Sequence, residues 1–227
     1  MSEQDEIRSA YERYAATGRD RLWDPSNRGY ARLSRDRDAT VVGLVTASLP
    51  ATGGRLLDVG CGDGSLARLI GAQGSGASHA GIDLLPERID AARAAVPDGS
   101  FVVGSADAMP FEDDAFDVVA AITLFSSLPS VALEQRVASE IARVIRPGGW
   151  LVWYDIRYEN PTNPAVHGVR ASRLRELFPG WAPEIRSTSL LPPVARRLGP
   201  LAPVAYPVLQ TVPFLRSHLV GRLRCPA

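Results

Sequence analysis

The chain has 227 residues, 45% hydrophobic and 22% charged, a composition that provides for a packed core and excludes both a disordered chain and a membrane-spanning one. Its formal charge is zero, yet residues 41–169 carry 8 Arg against 15 acids and residues 170–227 carry 9 Arg against 2. It has no lysine, which excludes a Walker lysine, a Schiff base and a Tyr-x-x-x-Lys reductase dyad.

The polar start "MSEQDEIRSAYERY" is unlike a signal peptide. It leads through Tyr11 and Tyr14 to a loop, "GRDRLWDPSNRGY", and a helix predicted from Asp36 to Leu49. Strands are predicted at "RLLDV", "HAGID", "FVVG", "FDVVAAI" and "GWLVWYD", with helices between them at "SLARLIGAQ", "PERIDAARAAV" and "ALEQRVASEIARVI". In the last helix Leu133, Val137, Ile141 and Val144 form one stripe, and "RPGG" ends it. Strands alternating with helices imply a parallel α/β sheet with helices on both faces and ligands at the carboxyl ends of its strands. A loop, "RYENPTNPAVHGV", a short helix, "ASRLRELF", and two candidate strands, "PEIRSTSL" and "FLRSHLVGRL", complete the chain. Between those strands lies an apolar, proline-rich segment, residues 191–213, whose prolines argue against one long amphipathic helix. The two cysteines, Cys61 and Cys225, are far apart, so no structural disulfide and a reducing, cytoplasmic setting are expected.

The most informative stretch is "LLDVGCGDGSLARLI". Gly60, Gly62 and Gly64 follow Asp58 at the end of a strand, where glycine permits positive φ and lets a ligand approach bare backbone. The spacing is G-x-G-x-G, one residue shorter than the dinucleotide fingerprint. Asp83 ends the next strand, 19 residues after Gly64, where a carboxylate can accept from ribose hydroxyls or cap the helix that begins near Pro86.

With "GIDLLPERIDAAR", "VVGSADAMPFEDDAFDVVAA" and "IARVIRPGGWLVWYD", this stretch resembles class I S-adenosylmethionine-dependent methyltransferases, of the subgroup that includes ubiquinone- and menaquinone-type enzymes, over about residues 50–155. The resemblance implies a Rossmann-like, doubly wound α/β sheet of seven strands, mostly parallel with an antiparallel last strand, and an N-terminal helical cap. One domain is expected: a cap at 1–50, a cofactor-binding core at 51–155 and an acceptor side at 156–227. By the same resemblance Asp58 and the turn Gly60, Cys61, Gly62 and Gly64 hold the methionine part of S-adenosylmethionine. Asp83 holds the ribose, Leu84 packs on the adenine, Ser105, Ala106 and Asp107 meet the adenine edge, and Thr123 completes the cofactor side. Ser105 stands where the family often has an acid.

The acceptor is expected over the ends of the fourth and fifth strands. His167 is the candidate general base and Asp155 a base or orienting carboxylate. Tyr14, Arg157 and Arg170 are candidates for binding the acceptor, with Arg19 and Arg21 as further cations. Tyr11, Tyr14 and Trp23 resemble an N-terminal lid; His79 and His218 are read as an exposed and a structural residue. Residues 191–213 are read as an acceptor cover or homodimer contact, in preference to peripheral docking on an anionic membrane. The expected activity is methyl transfer to a small-molecule hydroxyl, with N- or C-methylation, as of a quinone-like ring, or a non-catalytic partner subunit as alternatives. No Asn/Asp-Pro-Pro-Tyr motif follows the fourth strand, and no nucleic-acid partner or metal is expected.

Overall fold

A computed structural model describes residues 3–17, 24–159, 163 and 165–227. Each predicted strand is present: β1 (Gly54–Val59), β2 (Ala77–Asp83), β3 (Ser100–Val103), β4 (Phe116–Ile122), β5 (Ile145–Ile156), β6 (Ala182–Leu190) and β7 (Arg216–Arg224). They form one sheet in the order β3-β2-β1-β4-β5-β7-β6, and β7 runs antiparallel to both β5 and β6. The order reverses at β1 and β4, so the crevice between their carboxyl ends is the place for a ligand.

Alternation along the strands divides the core between two faces. Leu57 and Trp153 pack on one side with α5 (Val131–Val144), whose stripe of Leu133, Val137, Ile141 and Val144 is buried as its periodicity requires. Leu56 and Tyr154 pack on the other with α2 (Arg28–Ser48) and α3 (Ser65–Gly71). α5 is capped by the Ser130 hydroxyl, which accepts from Leu133 N–H at 3.1 Å. α2 corrects the expected start at Asp36. It begins eight residues earlier because the Asn27 side chain accepts from Tyr30 N–H at 2.9 Å, so part of the predicted loop is helix. His79, expected as exposed, lies within β2 and is partly buried.

Residues 191–213 stand between β6 and β7 as expected, broken by their prolines into two short helices, α7 (Pro192–Arg197) and α8 (Ala202–Gln210). They pack on α2 through Leu33, Leu190, Ala195 and Tyr206. Gly29 makes that approach feasible, since a Cβ there would stand 1.8 Å from the Ala195 carbonyl oxygen. α1 (Glu3–Ala16), α4 (Pro86–Ala95) and α6 (Ala171–Leu177) complete the fold. Among the described residues no helix is long and apolar enough to cross a membrane.

Candidate functional site

The glycine turn closes β1 with three left-handed residues, Gly60 (φ 77°), Gly62 (φ 53°) and Gly64 (φ 75°). The N–H groups of Gly60 and Cys61 both donate to the Ile82 carbonyl, at 2.8 and 3.1 Å, and fasten the turn to β2. The Asp83 carboxylate then accepts from Gly62 N–H at 2.9 Å on one oxygen and from Leu85 N–H at 3.0 Å on the other. Each oxygen keeps a lone pair, and Asp83 lines the cavity that opens beyond the turn. Cap and ligand holder are thus compatible roles for one side chain.

Gly60, Leu84, Ser105, Ala106 and Thr123 line the same cavity. Thr123, a β-branched residue, is held at φ 54° by its N–H, which donates to the Tyr154 carbonyl at 2.7 Å. Such strain in a residue facing a cavity is a mark of functional sites. The Ser105 hydroxyl donates to Asp107, and Asp107 pairs with Arg136 at 3.0 Å. Asp107 therefore stands behind Ser105 rather than on the cavity wall.

α1 covers the opening. Its Ile7 and Tyr11 line the cavity, and the Arg88 guanidinium lies 4.5 Å from the Tyr11 ring centre. Glu3, at the start of α1, bonds both Ser130 and Arg136, so the cover is latched to α5 and through Arg136 to Asp107. Of the residues read as a lid, Tyr11 lines the cavity. Tyr14 lies on α1 with its side chain outside what the structure describes, and Arg19, Arg21 and Trp23 lie outside the described residues.

Asp58 lies buried beneath the turn. Burial, reinforced by the charges of Asp83 and Asp63, pushes its carboxyl up to about 7. Cys61 differs from expectation: its side chain points into a small core with Ala67, Ile89, Ala92 and Phe101, and only its backbone belongs to the turn. Gly64 likewise packs tightly on Ala92, so it serves the turn–helix junction.

The acceptor-side residues are placed otherwise than read. Asp155 is fully enclosed, accepting from Ser126 N–H at 3.2 Å and Ile156 N–H at 3.1 Å, while burial pushes its carboxyl up to about 6. It orients the Phe125–Ser127 turn, which corrects its reading as a base, because alternation sends it into the core while Tyr154 takes the other face. Arg157 is not an open clamp either: Nη2 donates to the Pro213 carbonyl at 2.7 Å and bonds the Tyr158 hydroxyl, tying the loop after β5 to the one before β7. Arg170 is the N-cap residue of α6 and exposed. His167 meets Glu134 Oε1 through Nε2 at 2.9 Å, and Arg173 pairs with the other carboxylate oxygen at 2.7 Å. The His167 N–H donates to the Ser126 carbonyl at 3.0 Å, which places it beside Ser127 and Leu128 of the cavity wall without lining the cavity itself. His218, read as structural, is buried and stacked on Tyr154, with ring centres 4.8 Å apart. Arg88 and Arg136 were not singled out from the sequence; Arg136 falls one position before Val137 of the buried stripe, the only hint available.

Residues 57–153 match a family described as "Methyltransferase domain". A phthiotriol/phenolphthiotriol dimycocerosates methyltransferase of Mycobacterium leprae is 35% identical over 156 residues, which are 68% of this chain and 54% of that protein. The chain thus spans about half the length of the curated relatives it matches. Among solved structures, the N-methyltransferase NodS of Bradyrhizobium japonicum superposes with a TM-score of 0.65 at 15% identity, over 86% of this chain and 97% of its own. Phosphoethanolamine N-methyltransferase 2 of Haemonchus contortus, solved with S-adenosyl-L-methionine, gives 0.63 at 17% identity, over 83% and 53%. At such identities these two structures establish the fold.

The residues present fit S-adenosylmethionine. Bare glycine backbone leaves room for the methionine end, the acids Asp58, Asp63 and Asp83 match a cationic ligand, and the Asp83 lone pairs suit a ribose diol.

Proposed function

We propose, from the premise that residues 57–153 form a class I S-adenosylmethionine-dependent methyltransferase domain, that the chain methylates a hydroxyl of a small molecule. S-adenosylmethionine is the domain's cofactor and, when bound, supplies a methyl group already activated on a sulfonium. The protein's part is then chiefly alignment and exclusion of water. Asp83 would hold the ribose, Leu84 the adenine face, Ser105 and Ala106 its edge, and the glycine turn with Asp58 the methionine end. The strained Thr123 turn forms the floor at the reacting end, and α1 closes over it.

A hydroxyl must lose its proton as it attacks, and His167 is our candidate base. In the tautomer whose Nε2–H donates to Glu134, Nδ1 would take the proton from the acceptor, while Glu134 would steady the imidazolium that forms. The observation that carries this reading is the His167–Glu134 pair anchored to the Ser126 carbonyl beside the cavity wall. The choice of oxygen is in keeping with the mycobacterial relatives, which are named for phthiotriol and phenolphthiotriol dimycocerosates.

The test is transfer of labelled methyl from S-adenosylmethionine to a panel of hydroxylated small molecules and their deoxy, amino and quinone-like counterparts. We expect labelled methyl ethers from the hydroxylated set, and a rate reduced by roughly 10²–10⁴ in His167→Ala with unchanged cofactor affinity. Label on nitrogen or carbon would replace the O-methylation reading. A near-normal rate in His167→Ala would remove the base.

A further inference from the structure

We propose that the outer face of the 201–214 segment is a docking surface for a lipid bilayer carrying anionic headgroups, and that it sets the acceptor side of the molecule against that surface. Leu201, Val204, Val208 and Phe214 are the four most exposed large hydrophobic residues described, each 63–73% accessible. The first three recur at helical spacing on one side of the α8 region, while Ala202, Tyr206 and Leu209 turn inward. The helix is fixed from behind: Tyr206 accepts from Leu190 N–H at 3.3 Å, and Gln210 donates to Asp36 at 2.8 Å. Its bare outer face is therefore held out by a packed inner one.

Charge selects the occupant. From residue 185 to the end of the chain there is no Asp or Glu, while Arg197 is exposed on α7 and Arg216 is held to the segment by the carbonyls of Gln210 and Thr211 at 2.7 and 3.2 Å. Asp36, which meets α8 from α2, is itself paired with Arg32. Exposed apolar side chains on a short helix, in a segment with arginines and no acids, suit the headgroup boundary of an anionic membrane. A second copy of the chain suits it less. Two such segments, each basic and without acids, would repel, and four apolar side chains are far fewer than the roughly 20–30 residues a side of a standard interface.

Position gives the surface a use. β6 runs parallel to β5, so the β6–β7 connection leaves the sheet at the carboxyl edge where the cofactor turn opens. The Arg157 and Tyr158 side chains donate to the carbonyls of Pro213 and Phe214, at 2.7 and 3.3 Å, and join the segment to the loop after β5. The proposal concerns where the chain works and stands apart from which atom it methylates.

The test is co-sedimentation of the full chain with vesicles of phosphatidylcholine alone or mixed with phosphatidylglycerol. We expect binding at least tenfold stronger to the mixed vesicles and weakened by salt. The combined substitution Leu201→Ser, Val204→Ser, Val208→Ser and Phe214→Ser should reduce it tenfold or more, with S-adenosylhomocysteine affinity unchanged as proof of an intact fold. As a reporter that removes nothing, Phe214→Trp should gain fluorescence that brominated lipid quenches. Absence of sedimentation with either vesicle, equal binding by the quadruple variant, or a solution dimer that the same substitutions dissociate would overturn the proposal.

Discussion

Asp58 is unusual at the residue scale because every cause acting on it raises its proton affinity. An unfolded carboxylate ionises near 4, so the ligand-free protein retains a proton that the unfolded chain has already shed. Its stability contribution therefore falls as pH rises from about 4 to 7 and is level above. A bound ammonium or sulfonium favours the ionised form and reverses the preference. Affinity for S-adenosylhomocysteine, which carries the ammonium, should accordingly climb towards pH 7 and plateau beyond it. Titrations at about pH 5.5 and pH 8 check this, and Asp58→Asn should flatten the difference. The glycine turn and Asp83 were legible in the sequence because both act through local backbone geometry that only certain residues satisfy. Asp155 and Arg157 were not. Which side of a strand end a carboxylate takes depends on register with β4 and β7, and the Pro213 carbonyl that Arg157 bonds lies 56 residues away.

Among the elements, α1 is held by Glu3 to Ser130 and Arg136, by Tyr11 against Arg88 and by Ile7 packed on the core. Arg136→Ala breaks the latch and also frees Asp107. Faster release of S-adenosylhomocysteine, several-fold by stopped flow, is expected with little change in melting temperature, since the Arg136 side chain is about half exposed and ion pairs reached by solvent contribute little to stability. The α2–α7 contact is a matter of packing instead. Gly29→Val should lower stability by roughly 1–3 kcal/mol in denaturant unfolding, as α7 is forced off α2. Strands and the α5 stripe could be read directly because their periods are strong. The true start of α2 rests on one asparagine in a stretch rich in turn-forming residues, and the seat of residues 191–213 on that helix depends on a long-range match between Gly29 and Ala195. Local pattern carries neither.

Over the whole molecule, charge is divided between a middle that is acidic, 8 Arg against 15 acids, and a final quarter that is basic, 9 Arg against 2. The acidic part includes Asp58, Asp63 and Asp83 around a turn suited to a cationic ligand, and the basic part includes the proposed membrane face. The turn after β1 and the β6–β7 connection leave the sheet at the same carboxyl edge. The central claim is that this edge binds the adenosyl-methionine skeleton. Calorimetric titration with S-adenosylhomocysteine, with NADH as control, tests it most directly. The account expects saturable micromolar binding of S-adenosylhomocysteine alone, weakened roughly 10–100-fold in Asp83→Ala by loss of charge-assisted hydrogen bonds to the ribose. Binding of NADH in its place, no binding of either, or an unchanged affinity in Asp83→Ala would contradict it.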